Sequence, residues 1–295
     1  MSPMSRRNFL KVVGASLAAG ASLSVLPNVS ARSAAEDADN YVAMLYDATI
    51  CVGCNACTNA CRQWNKTKVE VDPTGLYDAP QELSADTWTL IQLYQPTDSA
   101  EGSEYSFVKR QCMHCVDPAC VSGCPVHALQ KSANGPVTYD KDRCIGCRYC
   151  MYTCPYHVPR FQWDQVIPVV TKCTLCSDRL ADGKGPACAE RCPTGALTWG
   201  RRGDLIAEAE KRLANEPGRY VNHIFGKDDA GGTSVLYLSH VPFDKLGFPN
   251  LKSEPVPQLS ERTSDIFLPG IVVGGTCALA AVSWVVKKGG LEDEA

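Results

Sequence analysis

The sequence predicts an α+β fold of two nested, pseudo-symmetric units with a C-terminal cap and one transmembrane helix. Three observations predict it. Sixteen of the 17 cysteines in the 295 residues fall into four groups of related spacing. The stretches "CPVHAL" at 124–129 and "CPTGAL" at 192–197 repeat one another, which marks an internal duplication. Near the C-terminus, Ile266 to Val286 runs without a single charged residue.

Composition narrows the class. A net charge of −3 with 21% charged residues suits a globular protein. Positive charge is scattered and forms no basic run, which argues against a nucleic-acid binder.

From the N-terminus, Ser5-Arg6-Arg7-Asn8-Phe9-Leu10-Lys11 is a twin-arginine export motif. Val12 to Leu26 is uncharged but only mildly apolar, too short and too polar to span a bilayer. "VSA" ending at Ala31 offers a small-residue cleavage site, with "SAA" ending at Ala35 as a second choice, so residues 1–31 read as a signal peptide. An amphipathic helix with a chance Arg-Arg pair leaves the rest of the seven-residue motif unexplained.

The first cysteine group is Cys51, Cys54, Cys57 and Cys61. The second is Cys112, Cys115, Cys120 and Cys124, and the third is Cys144, Cys147, Cys150 and Cys154. The fourth is Cys173, Cys176, Cys188 and Cys192, with a longer insert before its third member. In an exported protein the default reading of cysteine is disulfides. Pairwise bonding gives no reason for a repeated C-x2-C-x2-C-x3-C spacing. Zinc takes four thiolates, usually as two separated C-x2-C pairs, and only the fourth group could pass for that. The spacing matches 4Fe-4S clusters, in which three close thiolates wrap one cluster and the fourth ligates a neighbour. Proline after Cys124, Cys154 and Cys192 turns the chain where no N–H is needed. Cys61 is followed instead by Arg62, where the helix is expected to continue.

Exchange of the fourth cysteine makes the groups work in pairs. The second and third are close in sequence, and "GPVTYDKDRC" between them reads as strand and turn. One cluster is then held by Cys112, Cys115, Cys120 and Cys154, and the next by Cys124, Cys144, Cys147 and Cys150. The outer groups pair by elimination. Cys51, Cys54, Cys57 and Cys192 hold a third cluster, and Cys61, Cys173, Cys176 and Cys188 a fourth. The cluster region covers 40–200. Its inner unit, 105–165, looks like a two-cluster bacterial ferredoxin, and it splits a second one formed by 41–104 and 166–200.

A cluster with four cysteine ligands offers no open position to a substrate. There is no Ser-His-Asp set and no phosphate loop; "GKGP" at 183–186 reads as a turn. His114, His127, His157, His223 and His240 are scattered and read as surface residues or neighbours of the ligands. The chain is therefore expected to carry electrons through four 4Fe-4S clusters, with no catalytic residue of its own. Arg62, Lys131, Arg143, Arg148, Lys172 and Arg191 lie nearest the cysteines. They read either as cations that raise cluster potentials or as solvated surface charge.

Beyond the cysteines, Leu205, Ala209 and Leu213 recur at helical spacing, Glu208 and Arg212 sit one turn apart, and Pro217-Gly218 ends the pattern. "TSVLYLS" at 233–239 reads as a strand. Residues 201–264 are then a cap and linker. The span at 265–286 is long enough, at about 1.5 Å per residue, to cross a hydrocarbon core. Pro269 stands near its entry and Trp284 near its exit, where an interfacial aromatic belongs. Cys277 within it reads as a small apolar residue. A buried core helix is the competing reading. With the export signal upstream, the tail at 287–295 stays inside.

The chain resembles the four-cluster ferredoxin-like subunits of membrane-bound oxidoreductases. "SRRNFLK", "MLYDATICVGCNAC", "KRQCMHCVDPACVSGCPVHAL", "YDKDRCIGCRYCMYTCPYHVP", "KCTLC", "GGTSVLYLSHVPFDKL" and the terminal span carry the likeness. Within that family it is most similar to the electron-transfer subunits of periplasmic nickel-iron hydrogenase-2. Formate dehydrogenase-N beta subunits resemble it next, but normally lack a twin-arginine signal of their own. The resemblance implies hydrogenase large and small subunits as catalytic partners outside and a quinone-reactive integral-membrane subunit. It places the chain, anchored in membrane lipid, at the periplasmic face of the inner membrane. Polysulfide, tetrathionate and other molybdopterin enzymes use similar subunits. A zinc- or disulfide-stapled binding module without redox function is the reading from a different class, and such a protein would be colourless.

Overall fold

A computed structural model describes residues 38–70, 80–95, 105–257, 261 and 268–292. The twin-arginine segment, with residues 1–31, lies outside the described residues. The described residues from 38 to 257 form one compact unit, and the C-terminal helix belongs to another.

The first unit repeats one pattern four times: strand, cysteine loop, short helix, strand. The first copy is β1 (Val42–Asp47), α1 (Ala56–Asn65) and β2 (Leu90–Tyr94). The second is β3 (Ser106–Arg110), α2 (Ala119–Ser122) and β4 (Leu129–Lys131). The third is β5 (Val137–Tyr139), α3 (Tyr149–Thr153) and β6 (Arg160–Phe161). The fourth is β7 (Val170–Thr171), α4 (Ser177–Ala181), α5 (Ala187–Glu190) and β8 (Leu197–Arg201). Each copy pairs antiparallel with the next, as β2–β3, β4–β5 and β6–β7. β8 returns to pair antiparallel with β1, with Val42 opposite Arg201 and Tyr46 opposite Leu197. The pairings thus run in a closed ring. The hairpin β4–β5 joins the two middle cysteine groups, and β8–β1 joins the first to the last.

The cap makes β1 a central strand. β9 (Val235–Leu238) pairs parallel to it, Met44 opposite Val235 and Asp47 opposite Leu238. Side chains alternate across a strand, so a strand covered on both faces must be apolar throughout. Met44 and Tyr46 face the cysteine side with Val235 and Tyr237. Ala43 and Leu45 face the other side with Leu236 and Leu238, under α6 (Arg202–Asn215). Leu205 and Ala209 of α6 are buried there and Leu213 packs at the margin, the face its spacing predicts. Arg212 Nε donates to Glu208 Oε1 at 2.9 Å, and its Nη1 to the buried Asp47 at 3.1 Å.

α7 runs from Leu268 to Glu292. The expected transmembrane segment at 265–286 is therefore helical where it is described. Among the described residues, however, no helix is long and apolar enough to cross a membrane. The side chains of α7 are described only as far as Trp284, two residues short of the expected exit.

One buried cation ties the cap down. Arg202 Nε donates to the Thr233 carbonyl at 2.9 Å, and Nη2 donates to the Lys227 carbonyl at 2.6 Å. Nη1 pairs with Asp39 at 3.3 Å. Replacing it by methionine strands those carbonyls. Arg202→Met is expected to destabilise the protein by about 2–4 kcal/mol, read as a lowered thermal midpoint in far-UV circular dichroism.

Candidate metal centres

The cysteine loops share a backbone conformation that their spacing implies but their residue types only partly announce. In all four, the residue before the second cysteine is left-handed: Gly53 at φ 68°, His114 at 47°, Gly146 at 70° and Leu175 at 57°. The turn curls the chain back on its first sulfur. Gly146 N–H lies 3.4 Å from Cys144 Sγ, and Leu175 N–H 3.4 Å from Cys173 Sγ. Glycine meets this conformation without cost, and at Gly53 a Cβ would overlap the Phe107 ring. His114 and Leu175 adopt it at a cost of about 1–2 kcal/mol each, the mark of a loop held by what surrounds it.

The last cysteine of a group is placed by the proline that follows it. Residues before proline avoid the helical region, so α3 ends at Cys154, which is extended at φ −75°, ψ 114°. Two residues past each proline the chain turns left-handed again, at His127, His157 and Gly195. His127 N–H donates to the Cys124 carbonyl at 3.2 Å and His157 N–H to the Cys154 carbonyl at 3.1 Å. These histidines are exposed turn residues. α1 has no proline and runs on through Cys61 to Asn65, as Arg62 in that place predicts.

The structure brings the sixteen cysteines together in fours. One small cavity is lined by Cys51, Cys54, Cys57 and Cys192. A second is lined by Cys61, Cys173, Cys176 and Cys188. Burial pushes the Cys115 thiol far up, and the charges of Cys154, Cys120 and Cys112 around it add to the rise. Burial likewise pushes Cys150 up to about 12, with Cys124, Cys144 and Cys147 adding to it. Contacts also cross between the fours. Cys188, raised to about 11 chiefly by burial, feels Cys57. Cys173 feels Cys112, and Cys120 feels Cys150. The fours therefore lie in a row, in the order Cys51, Cys61, Cys112, Cys124 by first member. Cys54 at one end of the row and Cys147 at the other are exposed, while the four around Cys61 are all buried.

Such thiols suit iron-sulfur clusters by their chemistry. Desolvated thiols that repel one another ionise only when a cation takes the protons' place, as bound iron does. Among the described residues, no three His, Cys, Asp or Glu side chains converge closely enough for a single metal ion. A lone zinc needs its sulfurs about 2.3 Å away on all sides. A cubane puts iron and sulfide between its thiolates and holds them farther apart. Every cysteine is a free thiol, Cys277 of α7 included.

The basic residues divide. Arg148 stacks on Phe161 and Trp163, its Cζ 5.4 and 5.0 Å from the ring centres. Arg143 pairs with Asp140 at 3.3 Å on the surface. Lys172 is buried, donating to the Val137 carbonyl at 2.5 Å and the Cys173 carbonyl at 3.0 Å. Lys131 donates to the Cys115 carbonyl at 2.7 Å, and burial pulls its pKa down to about 8. His114 is fully buried; Val137 N–H donates to its Nδ1 at 2.9 Å, which puts its proton on Nε2. Burial, with Lys172 and Lys131 nearby, keeps it neutral.

Sequence reasoning missed Lys109, which is completely buried on β3 and bonded to Thr89. Burial works against its charge, but the charges of Cys57, Cys188, Tyr237 and Cys61 outweigh it and raise its pKa. It stands between the first two fours. Its only signal in sequence is position: a lysine in a short strand three residues before a ligand.

A ring of strand-linked cysteine loops that share their last thiols defines a dicluster iron-sulfur protein. Two family models described as 4Fe-4S dicluster domains match the chain, over residues 103–202 and 50–129. The chain is 42% identical over 254 residues to a protein of Nitratidesulfovibrio vulgaris, covering 83% of this chain and 66% of that one. It is 37% identical over 319 residues to the Hydrogenase-2 operon protein HybA of Escherichia coli O157:H7, covering 97% and 95%. It is 38% identical over 217 residues to the nitrate-inducible formate dehydrogenase iron-sulfur subunit of Escherichia coli K12, covering 72% and 73%. The chain belongs to this family of 4Fe-4S dicluster iron-sulfur subunits.

A buried cation between two thiol sets would favour the reduced, more negative states of clusters bound there. Lys109→Met is therefore expected to lower the reduction potentials of the two clusters flanking it by ~59 mV, a tenfold change for one electron, with iron content unchanged. Redox titration followed by EPR checks it.

Proposed function

We propose that this chain is the electron-transfer subunit of a membrane-associated hydrogenase, relaying electrons between catalytic subunits and a quinone-reactive membrane subunit. The observation that carries the reading is the unbroken row of four thiol sets with an exposed cysteine at each end. It fits a wire whose inner members are shielded from water and whose outer members are open to partners.

Four 4Fe-4S clusters fill the row. Cys51, Cys54, Cys57 and Cys192 hold the first, and Cys61, Cys173, Cys176 and Cys188 the second. Cys112, Cys115, Cys120 and Cys154 hold the third, and Cys124, Cys144, Cys147 and Cys150 the fourth. Bound there, the clusters supply one-electron chemistry. The chain holds them in place, keeps water from the middle two, and contributes no catalytic residue.

The relative named for the hydrogenase-2 operon matches almost end to end and supports the hydrogenase assignment. A twin-arginine signal over 1–31 explains how so many thiols survive export. That route carries folded proteins, so the thiolates meet the periplasm already bound to iron. The C-terminal segment at 265–286 anchors the subunit in the inner membrane. A formate dehydrogenase is the second reading, favoured by iron-sulfur subunits of such enzymes at similar identity.

Extraction from membranes in mild detergent separates the two readings. A nickel-iron large subunit is expected to come with the chain; a molybdopterin subunit in its place would overturn the hydrogenase assignment. The purified protein is expected to be brown, with broad absorption roughly near 400 nm from thiolate-to-iron charge transfer; a colourless protein would refute the clusters. Cys61→Ser is expected to disturb the cluster held by Cys173, Cys176 and Cys188. Loss of the cluster beside Cys51 alone would show the pairing to be wrong.

A further inference from the structure

Gln111 follows β3 and immediately precedes the ligand Cys112. It is 3% exposed, and neither its amide nitrogen nor its amide oxygen has a hydrogen-bonding partner among the described residues. A buried primary amide left unpaired at both ends is costly, and proteins seldom keep one without something to bond it. Its surroundings name the partner on one side. Gln111 lines the small cavity bounded by Cys61, Cys173, Cys176 and Cys188. It also lines a cleft of about 290 Å³, whose wall includes the Tyr156 side chain. The Tyr156 hydroxyl is itself buried without a partner among the described residues. The side chain therefore forms part of the partition between a cluster cavity and that cleft. It does so at the junction where Cys173 of one four meets Cys112 of the next.

We propose that Gln111 is a potential-setting residue, whose side-chain N–H donates a hydrogen bond to the sulfur of the cluster held by Cys61, Cys173, Cys176 and Cys188. The amide oxygen is buried on the side of the cleft. The assignment rests on the ligand sets given under Proposed function. A donor to sulfur stabilises the reduced cluster, which carries one more negative charge, and so raises its potential. Placed where the outer pair of clusters meets the inner pair, Gln111 governs the step between them. A side-chain donor, unlike the Leu175 N–H that lies 3.4 Å from Cys173 Sγ, is removed by one substitution without moving the loop.

Gln111→Met keeps length and shape while removing donor and acceptor. The experiment is EPR-monitored redox titration of the purified full complex, with iron and sulfide counted on the same samples. In the variant, the signal altered by Cys61→Ser is expected to titrate about tenfold more reluctantly toward reduction, ~59 mV lower, with the other signals unmoved. Retention of all clusters with no shift, or a shift confined to another signal, overturns the proposal and leaves the ligand sets standing. Wild-type protein without 4Fe-4S clusters overturns the ligand sets instead. A second measurement needs no substitution. Among the described residues, Gln111 is the one glutamine lining either cysteine-bounded cavity. Protein carrying nitrogen-15 in its glutamine side-chain amides is expected to show a nitrogen-15 coupling to that reduced cluster by HYSCORE; its absence refutes the hydrogen bond.

Discussion

The surrender of each group's last thiol to a set it does not otherwise belong to is the constraint on which the rest of this structure depends. Cys192 lines a cavity with Cys51, Cys54 and Cys57, which lie far from it in sequence. Cys61 lines one with Cys173, Cys176 and Cys188. No local segment can satisfy that arrangement alone. The chain must be laid out so that distant loops face each other, and the ring of antiparallel strand pairs does this. β8–β1 closes the outer pair of groups across most of the domain, and β4–β5 closes the inner pair within one hairpin. The larger apolar core lies on the cysteine side of β1, around Met44, Tyr46, Phe225 and Tyr237, and a smaller one forms on its far side, where α6 covers Ala43, Leu45, Leu236 and Leu238.

Electrostatics follows from the same layout. Crowding sixteen thiols into one domain gathers negative charge at low dielectric, and the protein answers with buried cations. Lys109 lies among the outer sets, while Lys131 and Lys172 brace the inner ones through backbone carbonyls. Gln111, whose side-chain amide has no partner among the described residues, lies near these cations. In most domains such groups are liabilities. Gln111 borders a sulfur-rich cavity, where a donor has something to bond. The exposed Cys54 and Cys147 then leave the two ends of the row open, and a row open at both ends suits an electron relay.

Much of the site is legible in the sequence because its rules are local. Cysteine spacing sets the loop geometry, and proline after Cys124, Cys154 and Cys192 bars the helix from running on past them. Arg62 after Cys61 lets it run on. The face of α6 and the strand around Val235–Leu238 follow from periodicity alone. The histidines need the fold. His127 and His157 occupy left-handed turns on the surface behind a proline, whereas His114, left-handed too and just before the second cysteine of its group, is fully buried. Neighbouring cysteines and prolines tell the two positions apart, but the burial of His114 depends on the distant Val137, whose N–H meets its Nδ1.

By itself the sequence determined the number of thiol groups, their cluster chemistry and the duplicated plan, since each is written in short-range spacing. The tertiary structure decided the order of the four sets, the burial of Lys109 and Gln111 and the pairing of β1 with β9. It also turned Arg148 away onto Phe161 and Trp163. The physical reason is register. Strand pairing across a long loop sets which side chains face a cavity, and a shift of one residue reverses every one of them.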